Sequence, residues 1–480
     1  MSSLLKKYRA LSAPVKASLW FTVCSILQKG ISFLTVPLFT RLLTADQFGL
    51  FNVYQSWLQV VSIFATLNLS YGVFNNGMIK YPDRKLSFTS SLQGLSTLVS
   101  AGVFLLYLAC SPFLGKVIGL PPFLMICMFA EILVTPALGF WSARQRFEYK
   151  YRRLVLVTLS MSLGNAGVGL LAVLAAENKG VARVLSAAGV NIAVGLIFYV
   201  HNFLRGRKFC DREYWRFALA FNLPLIPHYL SQIVLSQSDR LMINAYCGTG
   251  KAGIYSVAFS AAMIMNIVVN GINASLVPWT YQKLQEGKRR EIGKMCSGLL
   301  LVVAAGVWLV VMAAPEAVAL LAPAEYREAI WVIPPLAVNV FLIFQYSLFA
   351  NIEFYYEENK FIMLASTLAA VMNIGLNALF IPRFGYLAAG YTSFACYLIY
   401  CAAHYAFMRK VCRKHMQGKK VYNSYVLLGI TLGLFLLCAA AMALYSLPLI
   451  RYGVVLLVLA AAAIRWKKLM DILRRLRSRR

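Results

Sequence analysis

The stretch YVLLGITLGLFLLCAAAMALYS, residues 425–446, contains no Asp, Glu, Lys or Arg. At 1.5 Å of rise per residue a helix of this length reaches about 33 Å, enough to cross a hydrocarbon layer about 30 Å thick. Similar apolar stretches precede it near residues 17–38, 51–74, 88–112, 121–142, 154–175, 181–203 and 217–238. They continue near 252–276, 296–318, 329–350, 361–381 and 385–408, and one more follows at 448–465, shortened by Arg451. Hydrophobic residues make up 60% of the 480 and charged residues 13%, with a mean hydropathy of +0.68. A water-soluble core cannot hide that much apolar surface, so the chain reads as an all-α integral membrane protein of about 14 transmembrane helices.

The cations between these stretches fall on alternate connections. With the N-terminus inside, the inner segments hold 37 Lys and Arg and the outer loops hold nine: Arg41, Lys116, Lys179, Arg183, Arg240, Lys251, Arg327, Arg383 and Arg451. Lys29 alone is left within a span. This bias predicts a multi-pass membrane protein with both termini cytoplasmic, and the family resemblance given below implies a bacterial inner membrane. The formal charge of +30 is therefore read as topology rather than nucleic-acid binding, because the cations cluster at span ends and no soluble domain presents them. The basic tail, residues 465–480, is expected to be a helix on the lipid surface or a solvated segment that only fixes orientation. The first span resembles a signal peptide but lacks a small-residue cleavage site, so it is expected to be retained.

No connection is long enough for a folded soluble domain, which argues against a membrane polymerase or glycosyltransferase with a catalytic external loop. The nearest phosphate-loop look-alike, Ala245 to Ala252, lacks the leading Gly and the final Ser or Thr, so no ATP site is expected. The ten cysteines are scattered without a CxxC pair, so neither a metal nor a disulfide framework is expected. No cofactor is assigned, and any transport must be passive, potential-driven or ion-coupled.

Span one carries Ser18, Thr22, Ser25, Lys29 and Ser32 at steps of 4, 3, 4 and 3, which places one polar stripe along a helix, with Gln28 beside it. A cation at bilayer depth costs about 2.5 to 3.5 kcal/mol on insertion scales. Lys29 is therefore expected to face a wet cavity or to pair with a buried acid such as Glu131. Span seven repeats the pattern with Asn222, Tyr229, Gln232, Ser236 and Asp239, next to His228 and Ser231, while Pro224 and Pro227 distort it. Ordinary interhelical hydrogen bonding is the alternative for each of these polar residues. Glu131, His228 and Asp239 are the candidates for ion coupling, with Glu353, Glu357 and Glu358 further along the chain.

A weak internal echo follows spans one and seven. Arg41-Leu42-Leu43 leads to Gly49-Leu50-Phe51-Asn52, and Arg240-Leu241-Met242 leads to Gly253-Ile254-Tyr255-Ser256. Such repeats suit a transporter with its site near the midplane. The echo predicts Arg41 and Arg240 on opposite sides of an outward-facing mouth, where a pair of arginines suits a phosphate or an acidic sugar. Snorkelling to the interface is the alternative for both. Asn52, with Tyr54, Gln55 and Trp57, adds amide and aromatic groups of the kind that bind sugars, although Trp57, Trp279 and Tyr281 also fit an interfacial belt.

These residues resemble a known family. Gln28-Lys29-Gly30-Ile31-Ser32-Phe33-Leu34, Pro37, Phe39 to Thr44 and Phe48 to Asn52 look like the opening of bacterial polysaccharide-biosynthesis flippases of the O-antigen transporter type. Asp239-Arg240-Leu241-Met242 with Ala252-Gly253-Ile254-Tyr255 resembles their second-lobe counterpart. The resemblance implies a fold like that of multidrug and toxin extrusion transporters: a six-helix lobe over 1–208, a second over 209–415, a cavity between them, and two further helices within 416–480. It also implies translocation of an undecaprenyl-pyrophosphate-linked oligosaccharide by alternating access, alongside a polysaccharide polymerase or other assembly proteins. In the related peptidoglycan-precursor flippase, first-helix arginines face the pyrophosphate, and here Lys29 occupies that region. Ser25, Gln28, Lys29, Arg41, Asn52, Asn222, Gln232 and Arg240 are the substrate-binding candidates. An ion-coupled drug or small-molecule antiporter of the same fold is the competing reading, and it calls for acids in the cavity.

Overall fold

A computed structural model describes residues 12–464 and shows only helices among them, with no strand. The basic tail from Arg465 onward and the first cations Lys6, Lys7 and Arg9 lie outside the described residues. Each of the fourteen apolar stretches falls on a helix or a broken helix. Among the described residues, ten spans are long and apolar enough to cross a membrane, and an eleventh is a pair bent by 44°. The remaining three are α2 (Ala45–Thr66), α16 (Leu387–His415) and the shorter α18 (Pro448–Ile464). Asn52, Gln55 and Gln59 make α2 less apolar, and α16 ends in the basic run from Arg409 to His415.

The helices form two compact units. The first runs to Ser256 and includes Ile381–Tyr386; the second holds Val257–Phe380 and the chain from Leu387 onward. The first unit opens with α1 (Ala13–Leu42), and Thr44 and Gln47 then start α2 with a reciprocal capping box that fixes the turn between the two helices. The expected second span does not continue to residue 74. Its helix stops at Thr66, Leu67 and Asn68 take left-handed conformations at φ 49° and 50°, and a short α3 (Gly72–Lys80) follows. Four long helices come next: α4 (Lys85–Ile118), α5 (Pro122–Phe147), α6 (Tyr151–Ala175) and α7 (Lys179–Gly206). Span seven breaks where its prolines predict, into α8 (Arg212–Asn222), a 3₁₀ turn at Leu223–Leu225 and α9 (Ile226–Cys247).

Phe74, Phe88, Phe140 and Tyr214 form a buried aromatic core that joins α3, α4, α5 and α8. A second close fit lies where α2 meets α10 (Thr249–Ala262). A Cβ on Gly49 would lie 1.9 Å from the Thr249 carbonyl oxygen, and one on Gly253 would lie 2.3 Å from that of Ala45. The two glycines of the sequence echo thus meet backbone to backbone.

The second unit holds α11 (Met265–Gln285), α12 (Arg289–Met312), the short α13 (Ala314–Leu321), α14 (Ile333–Tyr355), α15 (Asn359–Phe384), α16, α17 (Ser424–Ala443) and α18. Its core is α14, where Phe341, Phe344 and Phe349 are fully buried against α16 and α12. The Arg451 that shortens the last span is buried and ion-paired to Glu316, which also accepts from the Tyr452 hydroxyl at 2.6 Å. Asn373, Asn377, Thr392 and Ser393 link α15 to α16 through side-chain hydrogen bonds, the Asn373 amide donating to Ser393 Oγ at 3.0 Å. Satisfying polar groups within the bundle in this way avoids the cost of exposing them to lipid.

Candidate functional site

The polar stripe of α1 is present as read. Ser18, Thr22, Ser25, Gln28, Lys29 and Ser32 are all exposed, while α1 packs on α6, with Trp20 stacked on Tyr151. The Thr22 and Ser32 hydroxyls donate to the carbonyls of Ser18 and Gln28 at 2.9 and 3.0 Å. Their protons are thus used within the helix, and their oxygens remain as acceptors. Lys29 has no hydrogen bond or ion pair to any described residue. Glu131, the acid named above as its alternative partner, is buried and accepts from the Tyr54 hydroxyl at 3.0 Å and the Asn191 amide at 2.7 Å. Lys29, with Ser25 and Gln28 within one turn, is an uncompensated cation on an exposed face.

Arg41 lies at the end of the same helix with its guanidinium folded onto the Pro37 carbonyl at 3.0 Å. Twelve residues of helix separate it from Lys29 by about 18 Å. The two cations cannot grip one diphosphate together; they suit successive stations along a path.

Arg240 is not an exposed partner of Arg41. Half-buried, it donates to Gln237 Oε1 at 2.7 Å, and the same oxygen accepts from the Ser56 hydroxyl at 3.0 Å. The Gln237 amide in turn donates to Gln59 Oε1 at 3.1 Å, so a polar seam runs between α2 and α9. Asn52 lies on α2 one turn before Ser56, its amide bonded back to the Phe48 carbonyl at 2.8 Å. Asp239 is buried and accepts from the Tyr255 hydroxyl at 2.5 Å. His228 is half-buried beside Tyr229, and Gln232 is exposed on α9. Asn222 is fully buried and donates to the Leu67 carbonyl at 2.5 Å, closing the left-handed break after α2. Asn222 and Glu131 therefore have evident structural work, whereas Ser25, Gln28, Lys29 and Gln232 present free faces.

Two buried groups escaped the sequence reading. Arg183, counted above with the outer-loop cations, is buried at the start of α7, with its guanidinium 4.1 and 4.3 Å from the ring centres of Phe39 and Phe51. The aromatic residues at the adjoining ends of α1 and α2 were the only available signal. In the second unit, His404 Nδ1 meets Glu353 Oε2 at 2.8 Å with both side chains wholly buried. Glu353 stood out as an acid, but nothing in the linear order connects it with a histidine 51 residues away.

The family model described as polysaccharide biosynthesis protein matches residues 15–284. An uncharacterized membrane protein of Haemophilus influenzae is 23% identical over 371 residues, covering 75% of this chain and 89% of its own length. The lsg locus protein 1 of the same organism is 22% identical over the same shares. Among solved structures, the lipid II flippase MurJ in an inward closed conformation superposes with a TM-score of 0.69 at 10% identity, over 94% of this chain and 100% of that one. An outward-facing multidrug-resistance MATE transporter of the MOP superfamily follows with a TM-score of 0.55 at 14% identity, over 84% and 96%. These likenesses show that the chain shares the fold of those two structures.

Proposed function

The chain belongs to the polysaccharide biosynthesis protein family, and from that premise we propose that it is a flippase for an undecaprenyl-pyrophosphate-linked oligosaccharide, working by alternating access from the cytoplasmic to the outer leaflet. It is a multi-pass membrane protein with the fold of membrane transporters. The observation that carries the substrate reading is Lys29. It is a cation within a span, exposed on a polar stripe, with no acid of the described chain beside it. A diphosphate is the kind of group that would compensate it, while a polyprenyl tail remains in lipid. Ser25 and Gln28 supply hydrogen-bonding groups within one turn, and Arg41 offers a second cation further along the same helix.

An antiporter for cationic drugs would need an ionisable acid on an accessible face. Glu131 and Asp239, deeper within their helices, are instead buried in hydrogen bonds to Tyr54, Asn191 and Tyr255, and the exposed Asp46 sits in the first turn of α2, at its end. Moving negative charge outward is favoured by an inside-negative potential by about 2.3 kcal/mol per charge per 100 mV, so direction does not require a coupling ion.

The test is a cell whose surface polysaccharide depends on this chain. Lys29→Ala is expected to abolish the polymer while the protein stays in the membrane at its usual level, and Lys29→Arg is expected to retain it. Normal polymer in the alanine variant would remove Lys29 from the mechanism.

A further inference from the structure

A second basic site lies in the first unit, apart from the stripe on α1. At the end where α4 and α6 begin and α5 and α7 finish, a cavity of about 1150 Å³ opens between these four helices. Its wall carries Arg84, Lys85, Arg144, Arg152, Arg153 and Arg205, and a seventh cation, Lys150, is ion-paired to Glu148 at 2.5 Å. Asp83 is the only other carboxylate in the lining. Trp141 and Phe198, with ring centres 4.5 Å apart, add an aromatic surface.

The rule that cations gather at the cytoplasmic ends of helices accounts for the exposed members of this set. It does not account for Arg144. A cation placed only for topology extends to water, yet Arg144 is 7% exposed and its Nη1 is buried without a hydrogen-bond partner. A buried guanidinium nitrogen with no acceptor is a costly arrangement that an anion in the cavity would relieve. The basic corner of the second unit, lined by Lys288, Arg289, Arg290, Lys419 and Lys420, provides a contrast. None of its lining cations is buried, and Lys283 and Lys288 already hold the neighbouring Glu286 carboxyl down to about 2.

We propose that the cavity around Arg144 is a binding site for a phosphorylated organic anion. Arg144 would donate to a pair of phosphate oxygens, the rim arginines would supply charge, and Trp141 and Phe198 would pack against the organic portion. The phosphate can come from a membrane lipid headgroup or from a soluble phosphorylated compound, and the volume admits more than a bare phosphate.

The test uses the full chain in nanodiscs of neutral lipid, titrated with inorganic pyrophosphate and, separately, with short-chain phosphatidic acid. At least one probe should bind saturably. Arg144→Gln should weaken that binding about tenfold, the loss of one charge-assisted contact, while Lys420→Gln in the second unit should leave it unchanged. Binding of pyrophosphate points to a soluble source, and binding of phosphatidic acid alone points to a lipid. If Arg144→Gln is not recovered folded, the rim double variant Arg84→Gln/Arg205→Gln should show a comparable loss. Absence of saturable binding by both probes overturns the proposal. So does a loss in Lys420→Gln as large as that in the cavity variants.

Discussion

Lys29 and Glu131 illustrate how burial decides between two roles for a charged residue in a membrane helix. Lys29 is exposed and unpaired among the described residues, whereas Glu131 is closed into contacts with Tyr54 and Asn191. Glu131→Ala would leave a buried donor on Tyr54 and a half-buried one on Asn191 without an acceptor and is expected to lower stability by about 2 to 4 kcal/mol. Glu131→Gln keeps an acceptor and should cost about 1 kcal/mol. Unfolding in detergent measures both, and the glutamine variant should retain transport; loss of transport with stability intact would make Glu131 an ion carrier instead. The buried pair Glu353 and His404 follows the same logic. Leaving a buried hydrogen-bonding group without its partner costs about 1 to 3 kcal/mol, so Glu353→Ala should give a clear drop in melting temperature and Glu353→Gln a smaller one. Equal melting of both variants would show that the contact contributes little.

At the scale of elements, the close approach of α2 and α10 depends on the absence of a side chain at two positions. Any Cβ at Gly49 would overlap the Thr249 carbonyl, a backbone atom that cannot rotate away. Gly49→Val and Gly253→Val are expected to separate the helices and sharply reduce folded protein. Gly189→Ala, where a Cβ meets nothing within 4 Å, should be neutral or stabilising by about 0.5 to 1 kcal/mol from helix propensity. Size-exclusion profiles of the three variants check this, and a monodisperse Gly49→Val protein would contradict it. Features that depend on local order were legible in the sequence: the apolar stretches, the α1 stripe with its 3.6-residue period, and the break at Pro224 and Pro227. Features that depend on distant partners were not. Gln237 meets Ser56 across 181 positions, Asn222 caps Leu67 across 155, and no spacing rule connects them. Arg240 is an example: its position relative to the span end was readable, but the polar seam with Gln237 and Ser56 that takes it up was not.

At the scale of the whole molecule, an uncompensated cation within a span suits the proposed cargo, which would carry negative charge outward. The negative charge of the proposed cargo and its inside-to-outside direction set the sign of the electrical work, which an inside-negative potential favours. The most direct measurement is the flipping of a labelled polyprenyl-diphosphate oligosaccharide in proteoliposomes, scored by access of an impermeant reagent, with and without an imposed inside-negative potential. The account predicts flipping that accelerates with the potential in the natural protein and is lost in Lys29→Ala. Equal flipping by the two proteins, or transport indifferent to the potential, would contradict it.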